Sequence, residues 1–268
     1  MNPLLTLAIH AALNAGHKIM EIYKDGFDVQ QKQDQSPVTQ ADLQAENIIL
    51  EHLIKTGIPI ISEESTKLPY SERKKWESCW LVDPLDGTKE FIKQNGEFTV
   101  NIAYCEQGYP VLGVIYVPAS GELYWGDTEM KEAYKSTLQE AVSSKELTPG
   151  PVKKLQFTNE SGNVLRVARS RSHLNPRTIE FINLAGQGYE RTEMVTKGSS
   201  LKFGLLAEGL ADLYPRFSPT MEWDTAAGHA ICKALGFKVI NAETQQELKY
   251  NKEDLLNPSF IVKRQAIP

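Results

Sequence analysis

The chain has 268 residues, 41% of them hydrophobic and 24% charged, with a formal net charge of −5. This is the composition of a soluble globular protein, long enough for one large domain or two packed lobes, and it excludes a disordered or fibrous chain. The acidic balance argues against general nucleic-acid binding, and an anionic small substrate would need local cations or bound metal to receive it.

Leu5, Ala8, Ile9, Ala12, Gly16, Ile19 and Tyr23 recur at helical spacing, so residues 4–24 are expected to form an amphipathic helix. A polar stretch from Asp25 to Pro37 follows. Thr39-x-x-Asp42 then opens a second helical pattern, with Ala45, Ile48, Ile49 and Leu53 on one face. Ile58–Ile61 and Cys79–Val82 are short buried-strand candidates that each run into acids. From 98 to 126 the period is two, which predicts an antiparallel meander. Residues 136–163 are mostly polar and contain Pro149-Gly150-Pro151, so a lobe boundary is expected there.

Strands are predicted at 164–168, 189–195, 211–215 and 237–240, with helices at 174–184, 199–208 and 224–235. That alternation favours an α/β layered second lobe. The division falls at about 1–150, an α+β lobe with the acids and the meander, and 151–268. Cys79, Cys105 and Cys232 form no CxxC pair, which points away from disulfides and zinc and towards a reducing cytoplasm. Met1-Asn2-Pro3-Leu4-Leu5 lacks the basic n-region of a signal peptide. No apolar run approaches the roughly 20 residues of a membrane helix.

Three acidic segments carry the chemistry: Ser62-Glu63-Glu64, Asp83-Pro84-Leu85-Asp86-Gly87-Thr88 and Trp223-Asp224-Thr225-Ala226-Ala227. Carboxylates gathered in one pocket repel and raise each other's pKa, and a hard divalent cation with oxygen ligands relieves this. In the middle segment Pro84 restricts the backbone and Gly87 permits a tight turn. That turn can aim Asp83, Asp86 and the Leu85 carbonyl at one point. Gly87 and Thr88 would then offer backbone N–H groups to an anion. Each acid also has a plainer reading. Asp86 or Asp224 could be a helix N-cap, Glu63-Glu64 a solvated loop, and Asp42 the partner of Thr39 in a capping box.

The ordered combination resembles the inositol monophosphatase superfamily of metal-dependent, lithium-sensitive phosphatases, over essentially the whole chain. Trp80 to Ile92 (WLVDPLDGTKEFI), Asn95 to Ile102 (NGEFTVNI), Gly198 to Phe203 (GSSLKF), Leu213 to Phe217 (LYPRF) and Trp223 to Ala230 (WDTAAGHA) look like its bacterial 3′(2′),5′-bisphosphate nucleotidases. The resemblance implies a sugar-phosphatase-like αβαβα layered sandwich of two closely packed lobes. It implies two or three Mg2+ ions on Glu63, Asp83, the Leu85 carbonyl, Asp86 and Asp224. Asp42 and Thr88 would be the pair that orients the attacking water, with Glu63 also catalytic and Glu64 behind the ligands.

Gly87 and Thr88 would bind the scissile phosphate beside Glu63 and Asp224. His173, Gly198, Ser199, Lys202 and Arg216 would surround the nucleotide and its 5′-phosphate. Plainer readings make His173 a surface loop residue, Lys202 a solvated helix position and Lys89 a surface lysine. The implied reaction is direct hydrolysis of adenosine 3′,5′-bisphosphate to AMP and phosphate, and of 3′-phosphoadenylyl sulfate, in sulfur assimilation. Same-fold rivals act on inositol monophosphate or fructose 1,6-bisphosphate, and a non-catalytic nucleotide sensor is the rival of another class. Family analogy adds a monomer or homodimer and peripheral association with the cytoplasmic face of the inner membrane.

Overall fold

The computed structural model describes residues 1–31, 37–138, 149–156, 162–171, 175–264 and 267. Helix α1 (Pro3–Asp25) begins where the Asn2 side chain accepts the Leu4 N–H and Pro3 fills the first turn. A hairpin of β1 (Val29–Gln31) and β2 (Pro37–Thr39) leads into α2 (Gln40–Leu53). Next come β3 (Ile60–Ser62), α3 (Tyr70–Arg73), β4 (Ser78–Asp86) and α4 (Thr88–Ile92). The meander follows as β5 (Thr99–Glu106), β6 (Tyr109–Val117), β7 (Glu122–Asp127), β8 (Glu132–Thr137) and β9 (Val152–Leu155).

The later elements are β10 (Val164–Ser170), α5 (Pro176–Gly186), β11 (Arg191–Lys197) and α6 (Leu201–Ala207). They continue with β12 (Leu213–Arg216), α7 (Glu222–Ala234), β13 (Lys238–Asn241) and β14 (Phe260–Lys263). Strands β3 to β9 form one seven-stranded sheet in sequence order, antiparallel except for the β3–β4 pair. The second sheet has the order β11-β10-β12-β14-β13, parallel at β11-β10-β12 and antiparallel where β14 enters.

Helices α1 and α2 cover one face of the large sheet through Trp80, Val100, Ile102 and Val114. Helices α6 and α7 fill the space between the sheets, with Phe203, Ala227 and Ile231 in that core. On the far side α5 packs Ile182 against Leu165, Val167 and Leu213. The layers therefore run α, β, α, β, α, as the resemblance implies. Among the described residues no helix is long and apolar enough to cross a membrane.

The meander extends two strands beyond the predicted end at 126. Strand β8 carries Glu132, Lys135 and Thr137 and falls mostly between the expected meander and the polar stretch from 136, yet it pairs on both sides. Strand β9 lies past residue 150 and still belongs to the large sheet. Strand β14 has no counterpart among the predicted strands; it holds β12 and β13 together.

Small residues set how closely α7 lies on the large sheet. A β-carbon on Gly113 of β6 would stand 2.3 Å from the Ala227 carbonyl, and one on Gly126 of β7 would stand 2.8 Å from the Ile231 Cα. The helix can thus sink onto the sheet, which brings its first turn level with the end of β4.

Candidate active site

Strands β3 and β4 are parallel, with Ser62 opposite Val82, so both deliver their next residue at the same sheet end. The Glu63 N–H donates to the Val82 carbonyl at 3.1 Å and places Glu63 beside Asp83. The β4–β5 ladder shifts register between Asp83 and Asp86, where Pro84 has no N–H to give. The Leu85 N–H turns back to Asp83 Oδ1 at 3.0 Å. Gly87 then takes a left-handed conformation, φ 95°, and serves as the N-cap of α4. Asp86 is therefore the end of the strand and not a cap.

Asp224 is the third residue of α7, behind Met221 at the N-cap, and its carboxylate accepts the Met221 N–H at 2.8 Å. It closes the helix start and faces the acids at once. Glu63, Asp83 and Asp224 each offer an oxygen, all within 4.8 Å of one another. Two full charges at that separation repel by about 3 kcal/mol at an effective dielectric of roughly 20. Burial, then Glu63, Asp86 and Asp224, holds the Asp83 carboxyl well above the usual carboxylate range. Asp224 is raised by burial and by Asp86 and Glu63. An oxygen-only set that resists ionising together fits a hard divalent cation.

Asp42 is fully enclosed, and burial raises its pKa despite its bonds to Thr39. One oxygen completes the capping box with the Thr39 N–H at 2.8 Å, and the other accepts the Thr88 hydroxyl at 3.1 Å. Asp42 is therefore at once the capping-box partner of Thr39 and the acceptor of the Thr88 hydroxyl.

These groups open into a cleft of about 530 Å³. It is lined by Glu63, Asp83, Leu85, Asp86, Gly87, Thr88 and Asp224 and also by Gly198, Ser199, Lys202 and Arg216. Lys89, Arg171 and Trp223 also reach it. Lys202 is only 4% exposed, so it is not a solvated helix position. Burial pushes its pKa down to about 8, with Asp86 opposing and Arg216 adding to the shift. Its ammonium donates to the carbonyls of Lys197 and Ser199. Arg216 Nη2 reaches the Pro219 carbonyl at 3.4 Å, while its buried Nε has no hydrogen-bond partner. Glu64 is half-buried next to Glu63 and is not among the residues lining the cleft. His173 lies outside the described residues.

The inositol monophosphatase family model matches residues 1–267. The chain belongs to the inositol monophosphatase family. Among curated relatives, a Salmonella typhimurium protein named 3′(2′),5′-bisphosphate nucleotidase CysQ is 43% identical over 256 residues, 94% of this chain and 96% of that one. Its Escherichia coli K12 namesake is 41% identical over the same shares. A crystal structure of CysQ from Bacteroides thetaiotaomicron superposes with a TM-score of 0.85 at 44% identity, covering 98% of this chain and 97% of its own. A Thermotoga maritima inositol monophosphatase shares the fold at a TM-score of 0.74 and 21% identity.

The inositol monophosphatase family is metal-dependent, and in this member Glu63, Asp83 and Asp224 form a cluster that could hold a metal ion. Sequence reasoning gave Gly198 and Ser199 to the substrate and did not single out Ser200, Thr99, Asn101 or Glu97 behind those acids. Asp86 Oδ2 accepts hydroxyl protons from Ser199 at 2.6 Å and Ser200 at 2.8 Å. Thr99 and Asn101, fully buried on β5, meet Ser199 at 2.7 Å and Ser200 at 2.9 Å. Glu97 accepts the Gly198 N–H at 2.8 Å and pairs with Arg171 at 2.8 Å, which anchors the loop before α6. The available signal was in β5, where Thr99 and Asn101 alternate with apolar residues on a strand enclosed on both faces.

Proposed function

We propose that this protein is a magnesium-dependent phosphatase that converts adenosine 3′,5′-bisphosphate to AMP and phosphate. The observation carrying it is a single cleft that holds both a cluster of carboxylates and the cations Lys202 and Arg216. That combination suits a substrate with two separated phosphates. The names of the 41–43% identical relatives support the nucleotide. 3′-Phosphoadenylyl sulfate carries the same 3′-phosphate and is the second substrate of this reading, which belongs to sulfur assimilation.

Glu63, Asp83, the Leu85 carbonyl, Asp86 and Asp224 would hold two or three Mg2+ ions. Bound magnesium lowers the pKa of a water and offsets charge on phosphoryl oxygens. Thr88 gives its proton to Asp42, so its oxygen lone pair is turned outward to accept from the attacking water. The Gly87 and Thr88 N–H groups meet the scissile phosphate, and Glu63 and Asp224 flank it. Water oxygen bonds to phosphorus as the bond from phosphorus to the 3′-oxygen breaks, and the proton that the water gives up ends on that leaving oxygen. Gly198, Ser199, Lys202 and Arg216 hold the 5′-phosphate and ribose. The thiols of Cys79, Cys105 and Cys232 are buried with pKa values pushed up, so none serves as a nucleophile.

Phosphate release with Mg2+ from adenosine 3′,5′-bisphosphate, inositol 1-phosphate and fructose 1,6-bisphosphate tests the assignment. The bisphosphate nucleotide should be turned over with the highest kcat/KM. Equal or better turnover of either sugar phosphate overturns the substrate, and tight nucleotide binding without any release makes the protein a sensor.

A further inference from the structure

We propose that Ser200 is a positioning residue that ties the turn bearing Asp86 to the helix turn bearing Asp224, and so sets the geometry of the metal cage. This rests on the metal-holding role given to those two aspartates above.

Ser200 is buried at the start of α6. Its hydroxyl meets three groups from three separate segments: Asn101 Nδ2 at 2.9 Å, Asp86 Oδ2 at 2.8 Å and the Asp224 carbonyl at 2.9 Å. The Asn101 amide is oriented because its Oδ1 accepts the Thr99 hydroxyl at 3.2 Å, which leaves Nδ2 as the donor to Ser200. Ser200 Oγ is therefore an acceptor on that side. Its single proton is shared between the Asp86 carboxylate and the Asp224 carbonyl.

The two acceptors lie 138 residues apart in the chain (224 − 86). Ser199 also donates to Asp86, yet its other partners are Thr99 and the Asp86 carbonyl, and none is on α7. Among the described residues Ser200 is the side chain that bonds both aspartates. The shared proton has a further consequence. When a cation draws on the Asp86 charge, the hydroxyl can turn to the Asp224 carbonyl, so loading the cage strands no buried donor. Both hydroxyl bonds to Asp86 fall on the same oxygen, Oδ2.

Calorimetric titration of the full chain with MgCl2, without nucleotide, tests the proposal. Ser200→Ala is expected to weaken Mg2+ binding about tenfold, the size typical when the partner of a metal ligand is removed. Asn101→Ala should weaken it too, and the double variant should be no weaker than Ser200→Ala alone, because Asn101 acts through Ser200. Ser200→Thr keeps the hydroxyl and should restore most of the affinity. Binding by Ser200→Ala within about twofold of wild type, alongside loss of binding in Asp83→Asn, overturns the proposal and leaves the metal reading standing. Unchanged binding in Asp83→Asn removes the metal reading itself. If Ser200→Ala does not fold, as judged by melting without metal, Asn101→Ala decides: wild-type Mg2+ affinity there overturns the proposal.

Discussion

Asp83 combines nearly complete burial with four acidic neighbours, Glu63, Asp86, Asp224 and Asp42, so its charge is tolerable only beside a cation. Asp83→Asn keeps the shape and removes the charge. It should lower kcat by about a thousandfold or more, the several kcal/mol that a Lewis acid supplies, with the far-UV circular dichroism spectrum unchanged. Full activity in that variant sinks the metal assignment. Lys202 is the opposite case, a cation whose pKa burial has lowered to about 8. Below that value it is protonated and can hold a phosphate; above it the charge is lost. The KM for adenosine 3′,5′-bisphosphate should therefore rise as pH passes about 8, while that for 3′-AMP, which lacks the second phosphate, should not. Lys202→Ala should raise the bisphosphate KM about 10- to 100-fold, as for a lost charged hydrogen bond, and flatten the pH profile. An equal effect on both substrates refutes the 5′-phosphate contact.

Helix α7 shows how an element carries a residue to its place. Asp224 reaches Asp83 because Gly113 lets the Ala227 carbonyl approach β6. Gly113→Ala must push the helix outward at backbone, not at a flexible side-chain end. It should cost about 1–3 kcal/mol in denaturant unfolding and weaken Mg2+ binding as well. A variant that loses stability but keeps wild-type Mg2+ affinity would show that the helix does not set the cage. Most elements were legible because their periodicities are strong: α1 and α2 by helical spacing, β5 and β6 by alternation. The acids stood out in the sequence because each follows a short apolar strand pattern or opens a helical one. Strand β8 was not legible, since its charged residues engage in ion pairs such as Lys135 with Glu122 and Glu208. Ser200 and Asn101 were not, since hydrogen bonding between distant segments leaves no local pattern.

At the scale of the whole molecule, the cage joins the end of β3, the turn after β4 and the start of α7, so a cation there braces the large sheet against the middle helical layer. The same acids make the metal-free fold sensitive to pH. Asp83 and Asp224 have folded-state pKa values raised above the unfolded value of about 3.9, so from about pH 4 upward the folded chain binds more protons than the unfolded one. The contribution of these two acids to stability without metal therefore falls as pH rises through that window. Magnesium acts in the reverse sense, because it binds the ionised carboxylates and displaces their protons. At a hundredfold excess over Kd it adds about 2.7 kcal/mol, a rise in Tm of about 5–10 °C for a chain of this size. Melting with EDTA and with MgCl2, from about pH 5 to about pH 8, should show the two curves diverging as pH increases. In Asp83→Asn the EDTA curve should lie at or above wild type near neutral pH, since one repelling charge is gone, and the Mg2+ increment should vanish. Parallel curves in the wild-type protein, or an undiminished increment in Asp83→Asn, would mean that these acids hold no metal and that their convergence serves some other end.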